Sequence, residues 1–137
     1  MNHRFINQRL TPGQDLRKEL LALADHQELK ASCLLSAVGS LTKAKLRLAE
    51  AGVGAPQFFE SQGPFEIVGA TGTLGSGGLH IHLAIANRQG QVIGGHLVEG
   101  NLIHTTCEII LLEQAEMDFQ RSTDAQTGYK EWAPCQR

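Results

Sequence analysis

The sequence predicts an α+β fold, in which one main helix packs on a bent, mostly antiparallel sheet or partial barrel. Three observations favour this class. About seven segments alternate apolar and polar residues or are rich in β-branched residues. Turns of hairpin length join most of these segments, and one segment alone has helical periodicity. The length of 137 residues suits one domain that spans residues 1–137.

The composition argues against nucleic-acid, membrane and secreted classes. The net charge of −2 provides no basic field that would attract phosphates. No apolar run approaches the roughly 18 residues that a membrane span needs, and the N-terminal residues lack the apolar core of a signal peptide. Cys33, Cys107 and Cys135 are far apart, which indicates reduced thiols in a cytoplasmic protein.

The first half of the chain predicts the helix and four strands. Residues 4–10 form a weakly patterned strand. In residues 14–26 leucines recur at helical spacing, and Asp15 suits the positive end of the helix dipole. Three further strands are expected at residues 31–41, 43–49 and 57–61.

The second half predicts strands only. They lie at residues 65–74, 79–86, 91–98, 102–112 and 117–122. A Gly-Pro turn is expected to separate the first of them from the strand before it. Tyr129 and Trp132 are expected to hold the C-terminal tail on the body of the protein.

The clearest pattern in the chain is LHIHLAIA, at residues 79–86. Its strict alternation places the larger apolar side chains in the core and His80 and His82 on the opposite face. The segment Arg88-Gln89-Gly90 then predicts a three-residue hairpin loop, with glycine in the left-handed position. The register that follows pairs Asn87 with Gln91, His82 with His96, and Ala84 with Gly94.

This register brings three imidazoles, those of His80, His82 and His96, onto one face. Ala84 and Gly94 beside them leave room for a bound molecule. Three histidines with an open fourth position are typical of a catalytic zinc site. The alternative is a set of surface or hydrogen-bonded histidines, and a one-residue slip of register would send His96 to the apolar face.

Two residues of the strand at 102–112 are candidates for proton transfer if the protein is an enzyme. Glu108 and His104 share one face of that strand. Glu108 could accept a hydrogen bond from a ligand histidine or act as a general base beside the metal. The alternative is a salt bridge or simple exposure near a sheet edge.

A stripe of cations, formed by Lys43, Lys45 and Arg47, occupies one face of the strand at 43–49. Such a stripe could contact phosphate or an acidic partner. It could equally be a solvated outer face whose lysines discourage aggregation. We favour the second interpretation, because three charges supply little affinity at physiological salt.

Several motifs resemble those of the PPC domain (plants and prokaryotes conserved domain). Residues 78–100 read G-x-H-x-H-L-x-I-x-x-x-x-G-x-V-I-G-G-H-L-x-E-G, and H-T-T-C-E-I-I-L follows at 104–111. The opening R-L-x-P-G-x-D-L at residues 9–16 and A-V-G-S-L at residues 37–41 also fit. The resemblance covers roughly residues 4–115.

This resemblance implies a single α+β domain that assembles as a homotrimer. Plant members join the domain to an AT-hook in DNA-binding regulators, and bacterial relatives are often labelled as DNA-binding proteins. Some prokaryotic members carry a metal on the motif histidines, which correspond to His80, His82 and His96 here. The fold also resembles acetolactate decarboxylase, which has a three-histidine zinc site. This sequence has no Arg-Gly-Arg-Pro hook, the part that reads the minor groove.

Two functions from different classes follow. The first is a stand-alone PPC-type protein with a DNA-binding or regulatory role and a three-histidine metal site. The alternative is a zinc-dependent enzyme, a lyase or hydrolase, that acts on a small anionic metabolite. The expected cofactor is zinc, about one ion per chain.

Overall fold

A computed structural model of the chain describes residues 2–49 and 54–137. The described residues form eight strands and one helix. In chain order these are β1 (His3–Leu10), α1 (Leu16–His26), β2 (Ala31–Arg47), β3 (Phe58–Gly75), β4 (Gly78–Ala86), β5 (Val92–Leu97), β6 (Leu102–Gln114), β7 (Met117–Thr123) and β8 (Lys130–Gln136).

The predicted α+β class is wrong, because strands account for 65% of the described residues and helix for only 8%. The structure is a mostly β, multistranded antiparallel sheet with one short helix. The helix predicted at residues 14–26 is present, but α1 has only 11 residues and buries two leucines, Leu16 and Leu20. No helix in the described ranges has the length and apolarity to cross a bilayer.

Two strands are much longer than the sequence predicts, and they explain the error in class. β2 has 17 residues and β3 has 18. The Gly63-Pro64 pair, expected to be a turn, lies inside β3 with a cis peptide bond. A shift of register between Leu41 and Lys43 bends β2 without ending it. Residues that usually break a strand bend these two instead.

The main sheet curls around β2. Its strand order is β1-β6-β2-β3-β4-β5, and β5 returns to pair with the end of β2. That closing contact pairs Leu46 with Leu97 and Arg47 with His96. Ile81, Leu83 and Ile85 of β4 alternate with the histidines and point inward, and each is 1% exposed. The histidines therefore lie on the outer face of a curled sheet whose inner face is the core.

The C-terminal segment forms a second, two-stranded sheet from β7 and β8, where the sequence predicts one strand and a tail. Phe119 anchors it. The Phe119 N–H donates to the Lys30 carbonyl at 2.9 Å, and the Gly77 N–H donates to the Phe119 carbonyl at 2.8 Å. The rings of Phe119 and Trp132 pack edge to face at 5.0 Å. This hairpin consequently sits at the turn from which β4 begins.

Candidate metal centre

The predicted register of the β4–β5 hairpin is confirmed. His82 pairs with His96, and Ala84 pairs with Gly94. Gly90 has a positive φ of 77°, as the left-handed position of the loop requires. The Asn87 N–H donates to the Gln91 carbonyl at 3.0 Å, which closes the turn.

The three imidazoles of His80, His82 and His96 form one cluster. Their ring centroids are 5.1 Å (His80–His82), 5.3 Å (His80–His96) and 4.5 Å (His82–His96) apart. One ligand nitrogen from each ring lies within 4.8 Å of the others. Imidazole nitrogens are among the ligands that zinc prefers in proteins. The cluster could therefore hold a metal ion.

Two buried polar side chains fix the loop that follows His96. Asn101, which is 0% exposed, donates from its amide to the carbonyls of Lys45 and Val98, both at 2.7 Å. Its amide oxygen accepts from the Lys45 N–H at 3.1 Å. Asp15 caps α1 and also accepts from the Gly100 N–H at 2.7 Å. The first and second halves of the chain therefore position His96 together.

An apolar cavity of about 590 Å³ opens on one side of the cluster, against His82 and His96. Ala84 and Gly94 line it, as the sequence predicts. A Cβ on Gly94 would meet only the Leu83 carbonyl, at 3.4 Å. A Cβ on Gly95 would lie 2.6 Å from the Arg47 carbonyl, so that glycine is needed for close strand packing.

A second cavity, of about 600 Å³, lies on another side of the cluster, against His80 and His96. Its lining is cationic. The contributing cations are Arg17 of α1, Arg47 of β2, Arg121 of β7 and Lys130 of β8. Among the described residues that line it, Glu131 is the single carboxylate. Because His96 lines both cavities, the histidine cluster lies between an apolar and a cationic space.

The cationic surroundings act on His80. Partial burial lowers the pKa of its imidazole below the usual value, and the charges of Arg121, His82 and Arg47 lower this pKa further. Glu131 acts in the opposite direction. A lowered pKa keeps the imidazole neutral near pH 7, which is the form that binds a metal.

The sequence did not identify the part of this site that comes from the C-terminal hairpin. Arg121, Tyr129, Lys130 and Glu131 all line the cationic cavity. The segment KEWAPCQ contains a proline, so the sequence predicts a tail there and not the strand β8. The alternation of Lys130, Trp132 and Pro134 with smaller or acidic residues is weak. The signal that could have identified the hairpin is its loop, in which the Asp124 carboxylate accepts hydrogen bonds from two backbone N–H groups and Gly128 has a positive φ of 74°.

Glu108 and His104 lie elsewhere. Both are exposed on β6, and neither lines a cavity that adjoins the histidine cluster. Glu108 pairs in register with Arg9 and Val38. Its charge adds to burial in raising the pKa of the Cys107 thiol to about 11, which leaves that thiol protonated and unreactive.

Two members of the cationic stripe are engaged in ion pairs. The ammonium groups of Lys43 and Lys45 lie 2.7 and 3.4 Å from the Glu60 carboxylate. Lys45 also lies over the ring of Phe58, at 5.2 Å. The third member, Arg47, pairs in register with His96 and lines the cationic cavity. The stripe therefore divides between an ion-pair cluster and the candidate site.

The family model of the Plants and Prokaryotes Conserved (PCC) domain matches residues 2–115. The chain belongs to this family. This is the family named the PPC domain above, so the resemblance found in the sequence is confirmed. The matched residues include His80, His82 and His96. The hairpin of β7 and β8 lies beyond the matched residues.

Similar proteins extend this assignment. A hypothetical protein from Salmonella cholerae-suis is 34% identical, with a TM-score of 0.91, over 99% of this chain and 96% of that chain. A metal-containing protein from Archaeoglobus fulgidus is 25% identical, with a TM-score of 0.82, over 95% of this chain and 93% of that chain. A protein from Ralstonia eutropha JMP134, provisionally named a DNA-binding protein, is 20% identical, with a TM-score of 0.79, over 93% of this chain and 89% of that chain. At that identity it shows the fold alone.

Curated relatives are much longer than this chain. The bifunctional protein GlmU of Synechococcus sp. (strain JA-3-3Ab) is 47% identical over 123 residues, which are 90% of this chain. Those residues are only 19% of the Synechococcus protein. The PCC chain thus spans about a fifth of the length of the curated relatives that it matches.

Proposed function

We propose that this PCC protein is a zinc-binding protein that uses His80, His82 and His96 to hold one ion per chain, with one coordination position open to a small ligand. The observation that supports this most directly is the convergence of three imidazole nitrogens within 4.8 Å. Neutral imidazoles are ligands that zinc prefers, and three of them are typical of catalytic rather than structural sites. The metal-containing relative from Archaeoglobus fulgidus also supports a metal here.

The proposed chemistry is that of a lyase or hydrolase that acts on a small anionic molecule. When bound, zinc would supply a Lewis acid at the open position. The chain's own residues would do the rest. Arg121 and Lys130 would hold the anion, and the Glu131 carboxylate would hold or move a proton beside it. Glu131 suits this role better than Glu108, because it lines the same cavity as His80.

Elemental analysis tests the metal site. Protein purified without chelator should contain about one zinc per chain, and His82→Ala should contain none while retaining its fold. His104→Ala is the matched control, because His104 is an exposed histidine of β6 that lines none of the adjoining cavities. Absence of metal from the native protein, even after zinc is added, would rule out the proposal.

The second candidate function is DNA binding in a regulatory role. The cationic stripe at the end of β2 and the name of the Ralstonia relative favour it. The pairing of Lys43 and Lys45 with Glu60 reduces the charge that they offer to phosphate. Gel-shift titration with duplex DNA at 50 mM salt tests this candidate. Reversal of the charges of Lys43, Lys45 and Arg47 should abolish any specific shift, and no shift by the native protein would exclude it.

We also propose that the chain assembles as a homotrimer, through apolar side chains that point away from the core of the main sheet. These exposed residues are Phe5, Leu35, Val38, Val68 and Ile110, from β1, β2, β3 and β6. A patch of this kind usually marks an interface. Sedimentation should give a trimer that Val38→Glu dissociates. Val92→Glu, at an equally exposed valine of β5, should leave the trimer intact.

A further inference from the structure

We infer that the cationic cavity beside the histidine cluster binds the oxyanion of a small organic ligand, with Arg121 as the central contact, while the apolar cavity receives the rest of that ligand. The ligand class is a phosphate ester or dicarboxylate with a short apolar part. This inference rests on the proposed zinc site, because a ligand that spans both cavities passes the three histidines.

The first argument is the distribution of charge. Arg17, Arg121 and Lys130 come from three different elements and converge on one cavity, where Glu131 is the single carboxylate among the described lining residues. Like charges brought together repel, so the arrangement is favourable only when an anion or solvent neutralises it. On the outer side, Glu99 reaches the Arg17 guanidinium at 3.8 Å but does not line the cavity.

The second argument is the orientation of Arg121. Its Nη1 donates to the Lys130 carbonyl at 3.2 Å, a bond across the β7–β8 hairpin. This bond holds the guanidinium against the hairpin, beside the cavity. A guanidinium presents its donors as a planar fork that matches two oxygens of a carboxylate or phosphate, so a fixed one suits oxyanion recognition.

The third argument concerns the size and polarity of the two spaces. Cavities of about 600 and 590 Å³ suit a metabolite, not a nucleic-acid duplex. His96 lines both. A ligand whose anion lies near Arg121 and whose apolar part lies over Ala84 and Gly94 would therefore place its central polar atoms beside the histidines.

The two components come from different parts of the chain. The histidines belong to the stretch that the family model matches, whereas Arg121 and Lys130 belong to the hairpin beyond residue 115. The metal donors are consequently a property of the family domain, and the anion contacts are a property of the C-terminal hairpin.

Calorimetric titration of the full chain tests the inference. Zinc content is measured first, and the zinc-loaded protein is then titrated with inorganic phosphate and with succinate. These two probes distinguish phosphate from dicarboxylate ligands. Arg121→Gln should keep its zinc and its unfolding midpoint but bind the preferred anion at least tenfold more weakly, as loss of a charged hydrogen bond implies. Lys130→Gln should show a smaller loss.

The matched control is Arg88→Gln, because Arg88 is an exposed arginine in the β4–β5 loop and should not affect anion binding. Binding that is unchanged in Arg121→Gln and Lys130→Gln would overturn the inference, since the anion would then bind elsewhere. So would the absence of binding to fully zinc-loaded protein at millimolar anion. If the protein holds no zinc, the metal proposal fails by itself, and titration of the metal-free chain still decides the role of Arg121.

Discussion

Two hairpins meet at the candidate site, and they are built differently. The β4–β5 hairpin belongs to the main sheet, with Ile81, Leu83 and Ile85 buried behind its histidines. The β7–β8 hairpin is a separate two-stranded sheet that Phe119 anchors. The first hairpin supplies three imidazoles and the second supplies charged side chains. The positions of the imidazoles are therefore set by the core of the main sheet, whereas Arg121 and Lys130 belong to a separate element.

The largest expected effect comes from a substitution that releases the loop after β5. Asn101→Ala removes three hydrogen bonds and leaves backbone groups of Lys45 and Val98 unsatisfied. We expect a loss of about 3 kcal/mol in the free energy of unfolding, with weaker zinc binding. Urea denaturation measures the loss. Asn87→Ala, which removes exposed turn bonds, should cost less than about 1 kcal/mol, and equal losses would contradict the special role of Asn101.

The second prediction separates the hairpins by loosening only the C-terminal one. Phe119→Ala removes the buried anchor, which is 5% exposed and packs on Trp132. We expect a loss of about 2 kcal/mol in the free energy of unfolding. We also expect early cleavage between β7 and β8 by a protease, and weaker anion binding. Zinc content should stay at the native level. Simultaneous loss of zinc would show that the two hairpins are not independent.

The third prediction compares two adjacent glycines of β5. Gly94→Val should fill the apolar cavity and reduce binding of ligands with an apolar part, while stability changes by less than about 1 kcal/mol. Gly95→Val is the comparison, because its Cβ would press on the Arg47 carbonyl. That variant should be strongly destabilised in thermal unfolding. Comparable unfolding midpoints for the two variants would contradict the assigned difference in space.

The smallest expected effect concerns the cations outside the site. Lys43 and Lys45 lower the pKa of Glu60, first through the hydrogen bond and charge of Lys43. A lowered folded-state pKa stabilises the protein above the unfolded pKa, and this contribution is lost as pH falls through the folded pKa. Glu60→Gln should therefore lower the thermal midpoint slightly at pH 7 and not at pH 2. It should also strengthen DNA binding if the stripe contacts phosphate.

The sequence was sufficient to predict that His80, His82 and His96 converge, because their positions depend on local rules. Alternation in β4, the left-handed Gly90 and a three-residue loop determine which side chains oppose each other, and the pairing of His82 with His96 follows. The arginines of the cationic cavity come from elements that are distant in sequence, so no local rule relates Arg17 to Arg121. The predicted fold class is wrong for a related reason. Gly63-Pro64 lies inside β3 and does not end it, because β2 pairs with β3 both before and after this dipeptide.

The seam where β5 returns to β2 links the site to the dynamics of the sheet. Within the described ranges, two residue pairs form this seam, and one of them contains His96. Such a short contact is where the sheet would be expected to open first by local fluctuation. An opening that displaced the His96 imidazole would break the histidine cluster. An ion held by all three imidazoles would therefore suppress that opening by mass action. Metal occupancy would then be measurable as slower hydrogen exchange at the backbone amides of Arg47 and Leu97.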